Sequence, residues 1–177
     1  MTDSKFMKNS ELDREAVAKA LREWLAAILP ATRLDLRGEV RVEKAEAATA
    51  QEFEKPEVMV VLSGRDQGVL LERNGELLQV FEYLAVRSLR IDPPFFDRIR
   101  FDAGDWRATR IAELKMAARV AADRVRETRL PFRFNPMAAR ERRIVHLALQ
   151  DVQGIRTSSE GAGDERRVVI FPADAKS

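Results

Sequence analysis

One apolar stretch followed in sequence by three glycines constrains the fold of this chain more than any other feature. Residues 58–62 form a continuous apolar run of the length of a buried strand. Gly64, Gly68 and Gly75 then divide the next segment, and glycine adopts turn conformations that other residues avoid. Within that segment Val69-Leu70-Leu71 predicts one short apolar turn of helix. Residues 76–89 predict a second helix, whose inward side chains are Leu77, Val80, Phe81, Leu84 and Leu89.

Helical and strand-like patterns lie on both sides of this segment. Apolar residues recur at helical spacing over residues 11–29, after a capping-box-like Ser10 and Asp13, and Pro30 is expected to end that helix. Trp24 and Trp106 occupy helical positions that favour packing in a core. Residues 37–45 alternate like a strand, residues 46–56 are an acidic connection, and residues 95–101 predict a third strand.

The second half predicts another helix–strand–strand unit. Asp105 is expected to cap a long helix over residues 106–128, and residues 130–134 form a connector. Asn135-Pro136 predicts the start of a helix that reaches Gln150. Strands at 155–159 and 166–171 follow, joined by a glycine-rich turn. The expected organisation is α+β, with a flexible arm (1–10), a first domain (11–103), a connecting helix and linker (104–134) and a second domain (135–177).

Composition excludes several classes of site. The chain has no cysteine and one histidine, so we expect no disulfide, no zinc centre and no other metal or cofactor. No apolar run is long enough for a membrane span, and the polar residues 1–10 do not suggest a signal peptide. A cytoplasmic location is therefore expected. Residues 1–63 carry 10 basic and 12 acidic residues, and residues 64–177 carry 21 and 17, so the second part is the better candidate for an anionic partner.

The single histidine, His146, follows Arg142 by four residues on the predicted helix. That spacing places the two side chains next to each other, and a fixed cation beside a titratable donor suits a phosphate oxygen. Arg143 could add a contact. Arg166 and Arg167 precede the last strand and point to opposite faces, so one of them could reach the same surface. From the spacing alone, the alternative is a solvated or locally hydrogen-bonded pair.

Two stretches together resemble a known family. Residues 62–76, which include Gly64, Gly68 and Glu72-Arg73-Asn74-Gly75, resemble the core of a KH domain. Residues 135–150, 157–161 and 166–170 resemble the Arg-x-x-x-His single-strand-binding domain. This order of domains, with a long helix between them, resembles the bacterial Jag (SpoIIIJ-associated, KhpB-type) proteins.

The resemblance implies a type II KH-like domain and a small Arg-x-x-x-His domain that bind single-stranded RNA, with single-stranded DNA as the alternative ligand. It further implies a role in cell elongation, division or envelope synthesis. The implied binding residues are Arg142, Arg143, His146, Arg166, Arg167, Gly68, Arg73, Asn74 and Gly75.

Glu72 departs from the family pattern, because it occupies the first glycine position of the Gly-x-x-Gly loop that approaches phosphates. A side chain there blocks close approach, and its carboxylate repels phosphate. The alternative function is therefore a protein-interaction module that no longer binds RNA, with a homodimer or a KH protein as partner. An enzyme is not expected, because the serines near His146 in sequence lack a nucleophile-elbow motif.

Overall fold

The computed structural model describes residues 6–8, 11–43 and 56–174. The chain divides into two compact units, Met1–Arg107 and Ala108–Ser177, each of mixed α/β structure. The predicted Ser10 cap and nearly all of the predicted connection 46–56 lie outside the described residues. Among the described helices, none combines the length and the apolar character needed to cross a membrane.

The first unit is built around one three-stranded sheet. Its elements are β1 (Met7–Lys8), β2 (Glu11–Leu12), α1 (Arg14–Thr32), β3 (Arg37–Val42), β4 (Val58–Ser63), α2 (Gln67–Ser88), a 3-10 helix (Pro93–Arg98) and β5 (Ile99–Asp102). Strand β4 is central; it pairs antiparallel with β3 and parallel with β5, and the parallel pair is connected through α2. A short antiparallel pair, β1 and β2, precedes α1. From α1 onward the helices and strands follow the predicted order, with the 3-10 helix added before β5.

The core of this unit lies between the sheet and the two helices. Alternate residues of β4, namely Val58, Val60 and Leu62, are fully buried, as expected for one face of a strand. Trp24 of α1 makes edge-on ring contacts with core phenylalanines of α2 and β5, so its predicted core position is confirmed. The helical residues of the core include Val17, Leu21, Leu25, Leu70, Leu78 and Phe81.

Three boundary predictions are wrong in this unit. Residues 11 and 12, predicted as the start of the first helix, form β2, and α1 begins at Arg14. Helix α1 continues past Pro30 to Thr32. Proline lacks only its own N–H donor, and its carbonyl still accepts from the Arg33 N–H at 3.4 Å. Residues 93–98 form a 3-10 helix rather than part of the third strand. The predicted arm is packed at Phe6, which is buried in the core; residues 1–5, 9 and 10 lie outside the described residues.

A buried ionic network fixes the outer edge of the sheet. The carboxylate of Glu82 on α2 accepts from the Phe101 N–H at 3.0 Å and from the Arg107 guanidinium at 2.7 Å. Arg107 Nε in turn donates to the Phe101 carbonyl at 2.6 Å. Because β5 is an edge strand, these side chains saturate backbone groups that would otherwise be open to strand pairing.

The second unit has two helices and a three-stranded antiparallel sheet. The elements are α3 (Trp106–Thr128), β6 (Phe132–Arg133), α4 (Ala139–Leu149), β7 (Ile155–Glu160) and β8 (Arg167–Pro172). The central strand is β8, with β6 and β7 on either side. Contacts near both ends of α3 link it to α4 or to the turn after α4: Arg110 Nε donates to Glu141 Oε1 at 2.7 Å, and Arg126 lies beside Gly154.

The start of α4 differs from the prediction. The helix begins at Ala139 and not at Asn135-Pro136. The preceding segment is extended because its backbone pairs elsewhere: the Phe134 N–H donates to the Val168 carbonyl at 3.0 Å, and the Met137 N–H to the Arg166 carbonyl at 3.2 Å. The same pairing makes part of the predicted connector 130–134 into strand β6.

Candidate nucleic-acid interface

Helix α4 presents one apolar face and one polar edge. Ile144, Val145 and Leu149 are buried and form the apolar face. The Glu141 carboxylate accepts from the Ala138 N–H at 3.3 Å and thereby satisfies an unpaired donor at the start of the helix. Packing of the apolar face leaves Arg142 and His146 half-buried at its edge, whereas Arg143 is exposed.

The His146 ring is held by two hydroxyl groups of β7. Nδ1 lies 2.7 Å from Thr157 Oγ1, and Nε2 lies 2.9 Å from Ser159 Oγ. Burial, followed by the nearby Arg142 guanidinium, lowers the pKa of His146 below its usual 6.5. The imidazole is therefore neutral near pH 7.5, and both of its nitrogens have partners within the chain.

Arg142 and Arg166 meet at the backbone of Met137. The Arg142 Nη1 atom donates to the Met137 carbonyl at 2.7 Å, and the Met137 N–H donates to the Arg166 carbonyl at 3.2 Å. Arg166 is exposed. The extended segment before α4 thus contacts both the Arg142 guanidinium and the backbone of Arg166, which directly precedes the last strand and is far from Arg142 in sequence.

The arginines of this region differ in their neutralisation. Arg167 Nη2 lies 2.9 Å from Glu165 Oε2, and Arg110 is paired with Glu141. Across residues 6–8, 11–43 and 56–174, by contrast, no salt bridge is formed by Arg142, Arg143 or Arg166. These three cations, which we call the arginine surface, keep a positive charge available to an anionic ligand.

The predicted loop of the first unit interrupts helix α2. Glu72 is extended (φ −58°, ψ 153°), and Arg73, Asn74 and Gly75 have left-handed backbones with φ of 49°, 60° and 72°. Arg73 is highly exposed and lies 3.8 Å from the Glu76 carboxylate. Asn74 is also exposed, and its carbonyl accepts from Gln79 Nε2 at 3.2 Å. A short helix, a four-residue loop and a longer helix therefore replace a single continuous helix.

The two glycines of this region have different surroundings. Gly75 is buried, and a Cβ added there would lie 2.7 Å from the Trp106 ring. The Cα face of Gly75 is therefore covered by an indole of the same unit. Gly68 is exposed, and a Cβ added there would meet nothing within 4 Å, so the surface beside Val69 is open. The Glu72 side chain is also exposed.

The structure groups the predicted residues in two places. Arg142, His146 and Arg166 belong to one neighbourhood of the second unit, whereas Gly68, Arg73, Asn74 and Gly75 belong to the first unit. Sequence reasoning missed Thr157 and Ser159 as partners of His146. Their alternation along a predicted strand does place both hydroxyls on one face, which is the signal that could have identified them.

Residues 112–172 match the R-3-H (Arg-x-x-x-His) domain family. This range contains the Arg142–His146 pair on α4, the strands β6, β7 and β8, and most of α3. The match confirms the predicted resemblance of the C-terminal part to an Arg-x-x-x-His domain.

Relatives extend the similarity beyond this domain. The chain is 33% identical over 114 residues to a protein of Clostridium symbiosum named RNA-binding protein KhpB; the alignment covers 64% of this chain and 51% of the relative. It is 31% identical over 124 residues to the protein of the same name from Bacillus subtilis (strain 168); this alignment covers 69% of this chain and 59% of the relative. The chain thus spans between half and three-fifths of the length of these relatives. The second unit is therefore shown to contain an Arg-x-x-x-His domain, whereas the KH-like assignment of the first unit stays a prediction.

Proposed function

We propose that the second unit binds single-stranded nucleic acid, RNA in preference to DNA, through the arginine surface. The observation that carries this proposal is the set of three guanidinium groups that no described acidic side chain neutralises. Arginine suits phosphate because its planar donors can bind two oxygens at once. The Arg-x-x-x-His domain match over the same residues and the name of the relatives support the proposal.

Arg167 and His146 have secondary parts in this proposal. Arg167 is engaged by Glu165, so a phosphate would have to compete with that carboxylate. His146 lies next to Arg142, but both of its ring nitrogens are hydrogen-bonded to side chains of β7. Arg142, Arg143 and Arg166 are therefore the residues from which we expect most of the electrostatic attraction.

We further propose that the first unit is a type II KH-like domain. The order α1, β3, β4, interrupted α2 and β5 supports this assignment, as does the loop 72–75. In a KH-type complex, the open surface at Gly68 would take unstacked bases, and Arg73, Asn74 and Gly75 would lie next to the backbone of the ligand. The Trp106 ring restricts access to Gly75, and Glu72 adds a negative charge, so we expect this unit to bind weakly.

The biological role follows from the family resemblance. We propose a cytoplasmic RNA-binding regulator connected to bacterial cell elongation, division or envelope synthesis. Two weakly binding units on one chain would act together, because binding of the first raises the effective concentration of the second. Identification of the RNA that co-purifies with the tagged protein from its own cells would test this role. RNAs unrelated to those processes would contradict it.

Fluorescence anisotropy with a labelled single-stranded RNA of mixed sequence tests the binding proposal. Each phosphate contact contributes about 0.7 to the slope of log affinity against log salt for single strands. Replacement of Arg142, Arg143 and Arg166 by glutamine should therefore reduce that slope by about 2. Arg167→Gln is the matched control and should have a small effect. Wild-type protein that shows no salt-dependent binding would refute the proposal.

Glu72→Gly tests the contribution of the first unit in the same assay. The extended backbone of Glu72 is allowed for any residue, so the substitution removes only a side chain and a charge. A gain in RNA affinity is expected, since the carboxylate is unfavourable near phosphate. Unchanged affinity would indicate that the loop does not meet the RNA.

A second candidate function, protein interaction, is favoured by an exposed apolar strip on α2. Val80, Tyr83 and Leu84 are 43%, 55% and 47% exposed, and their spacing places them on one side of the helix. The prediction that Val80 and Leu84 face inward is wrong, because Leu78, Phe81 and Ala85 fill the core instead. Exposed apolar strips often mark interfaces, so this candidate predicts a homodimer or a protein partner.

Light scattering after size-exclusion chromatography separates the two candidates. If the strip forms a homodimer, the wild type has twice the monomer mass and Tyr83→Glu is a monomer. RNA binding by a monomeric wild type would favour the first candidate. A dimer without salt-dependent RNA binding would favour the second.

A further inference from the structure

The hydroxyl groups of Thr157 and Ser159 form a pair whose hydrogen-bonding polarity is set by His146. A neutral imidazole has one N–H donor and one bare nitrogen that accepts. One of the two hydroxyls must therefore accept from the ring, and the other must donate to it. The two contacts, at 2.7 Å and 2.9 Å, are short enough for both bonds to form.

Each hydroxyl keeps hydrogen-bonding capacity for a third group. The hydroxyl that accepts the ring N–H retains its own proton and a second lone pair, and the hydroxyl that donates to the ring retains two lone pairs and no proton. Together they offer one O–H donor beside acceptor lone pairs. Thr157 and Ser159 are both partly exposed, and they share the face of β7 that meets the His146 ring. Arg142 lies one helical turn before His146 on α4.

Resting on the proposed function, we propose that Thr157 and Ser159 are the residues that select RNA over DNA, by binding a ribose 2′-hydroxyl beside a phosphate held by Arg142. A 2′-hydroxyl is itself a donor and an acceptor, so it complements such a pair. A phosphate oxygen only accepts and would leave one member of the pair without a partner. His146 then acts as a positioning residue that orients the two hydroxyls and does not contact the nucleic acid.

Ser158 provides a matched control within the same strand. It lies between Thr157 and Ser159 and therefore projects from the opposite face of β7. Ser158→Ala removes the same hydroxyl as Ser159→Ala but leaves the pair intact. Thr157→Ser keeps the hydroxyl and removes only a methyl group, so it distinguishes loss of the hydrogen bond from loss of packing.

The test compares two labelled oligonucleotides of about 12 nucleotides with one sequence, one of RNA and one of DNA with deoxyuridine in place of thymidine. They differ only in their 2′-hydroxyls. In anisotropy titrations near pH 7.5, wild type should bind the RNA about fivefold more tightly, the value of one ordinary hydrogen bond. Ser159→Ala and Thr157→Val should lose that preference with little change in DNA affinity. Ser158→Ala and Thr157→Ser should retain it.

Several results would overturn the proposal. Equal binding of RNA and DNA by the wild type would remove the preference to be explained. An equal loss of RNA and DNA affinity in Ser159→Ala would mean that the hydroxyl serves phosphate binding or folding, and unchanged affinities would mean that it does not meet the ligand. Binding of neither oligonucleotide by the wild type would refute the proposed function itself, which is a distinct outcome.

Discussion

Gly75→Ala should destabilise the first unit because its backbone and its surroundings both require glycine. At φ +72° an alanine occupies the left-handed region, which costs about 1 kcal/mol or more. The added Cβ would also lie 2.7–2.9 Å from three atoms of the Trp106 ring, and overpacking of this kind costs about 1–3 kcal/mol. The lower chain entropy of alanine in the unfolded state offsets about 0.4–1 kcal/mol of this destabilisation. The expected net loss is about 2–3 kcal/mol.

Tryptophan fluorescence during urea unfolding measures this loss in the correct unit. The sequence contains two tryptophans, Trp24 and Trp106, and both belong to the first unit. The matched control is Gly68→Ala, at which an added Cβ meets nothing within 4 Å. That substitution lies in a helical segment and should be stabilising by about 0.5–1 kcal/mol.

A double substitution separates the two causes. In a Trp106→Leu background the ring is absent, so Gly75→Ala should cost only the backbone term less the unfolded-state entropy term, a net loss of about 0.5 kcal/mol or less, with Trp24 as the remaining fluorophore. A loss below about 1 kcal/mol in the wild-type background would refute the reasoning. An identical loss in both backgrounds would show that the contact with Trp106 is not the cause.

Three further predictions concern the ionic network, the histidine and a helix cap. Glu82→Gln should lower the free energy of unfolding in urea by about 3 kcal/mol, because it removes the negative charge that faces the buried Arg107 guanidinium. The control is the exposed pair of Glu39 and Arg41, in which Glu39→Gln should have little effect on stability. Proton NMR of His146 should give a pKa below 6.5. Just below pH 6.5 the unfolded chain then binds more protons than the folded chain, so the free energy of unfolding of the second unit should fall as the pH is lowered through this window. A measured pKa at or above 6.5 would contradict this prediction. Asp13→Ala removes the acceptor of the Ala16 N–H, a 3.0 Å bond, and should lower the stability of the first unit by about 1 kcal/mol in fluorescence-monitored unfolding; an unchanged unfolding midpoint would rule out that cap.

Periodicity predicted the elements whose packing is local. Helix α3 has the predicted bounds 106–128 and β4 begins at the predicted residue, because one apolar stripe or run suffices to define each. The start of α4 was predicted wrongly because Asn135-Pro136 is a good start signal in isolation, while the pairing of Met137 with Arg166 keeps the segment extended. That pairing joins residues far apart in sequence, so no local pattern contains it.

In the candidate site too, local spacing was predicted correctly, whereas contacts between residues distant in sequence were not. The spacing of Arg142 and His146 correctly placed the two side chains together on one helix. It did not indicate that the His146 ring is bound on both nitrogens, since the partners come from β7. It also could not distinguish Gly68, which is open, from Gly75, which Trp106 covers, because both glycines read alike in the sequence.

Arginine content alone carries little functional information in this chain, since many of its arginines have structural partners. Arg107 and Arg100 are buried in the network around Glu82, and Arg167 is held by Glu165. A phosphate that approaches such a group must displace a carboxylate, whereas a phosphate that approaches Arg143 or Arg166 displaces water and counterions, and release of counterions favours binding. The pairing of each guanidinium, and not the net charge of +2, is therefore the basis on which we propose the binding surface.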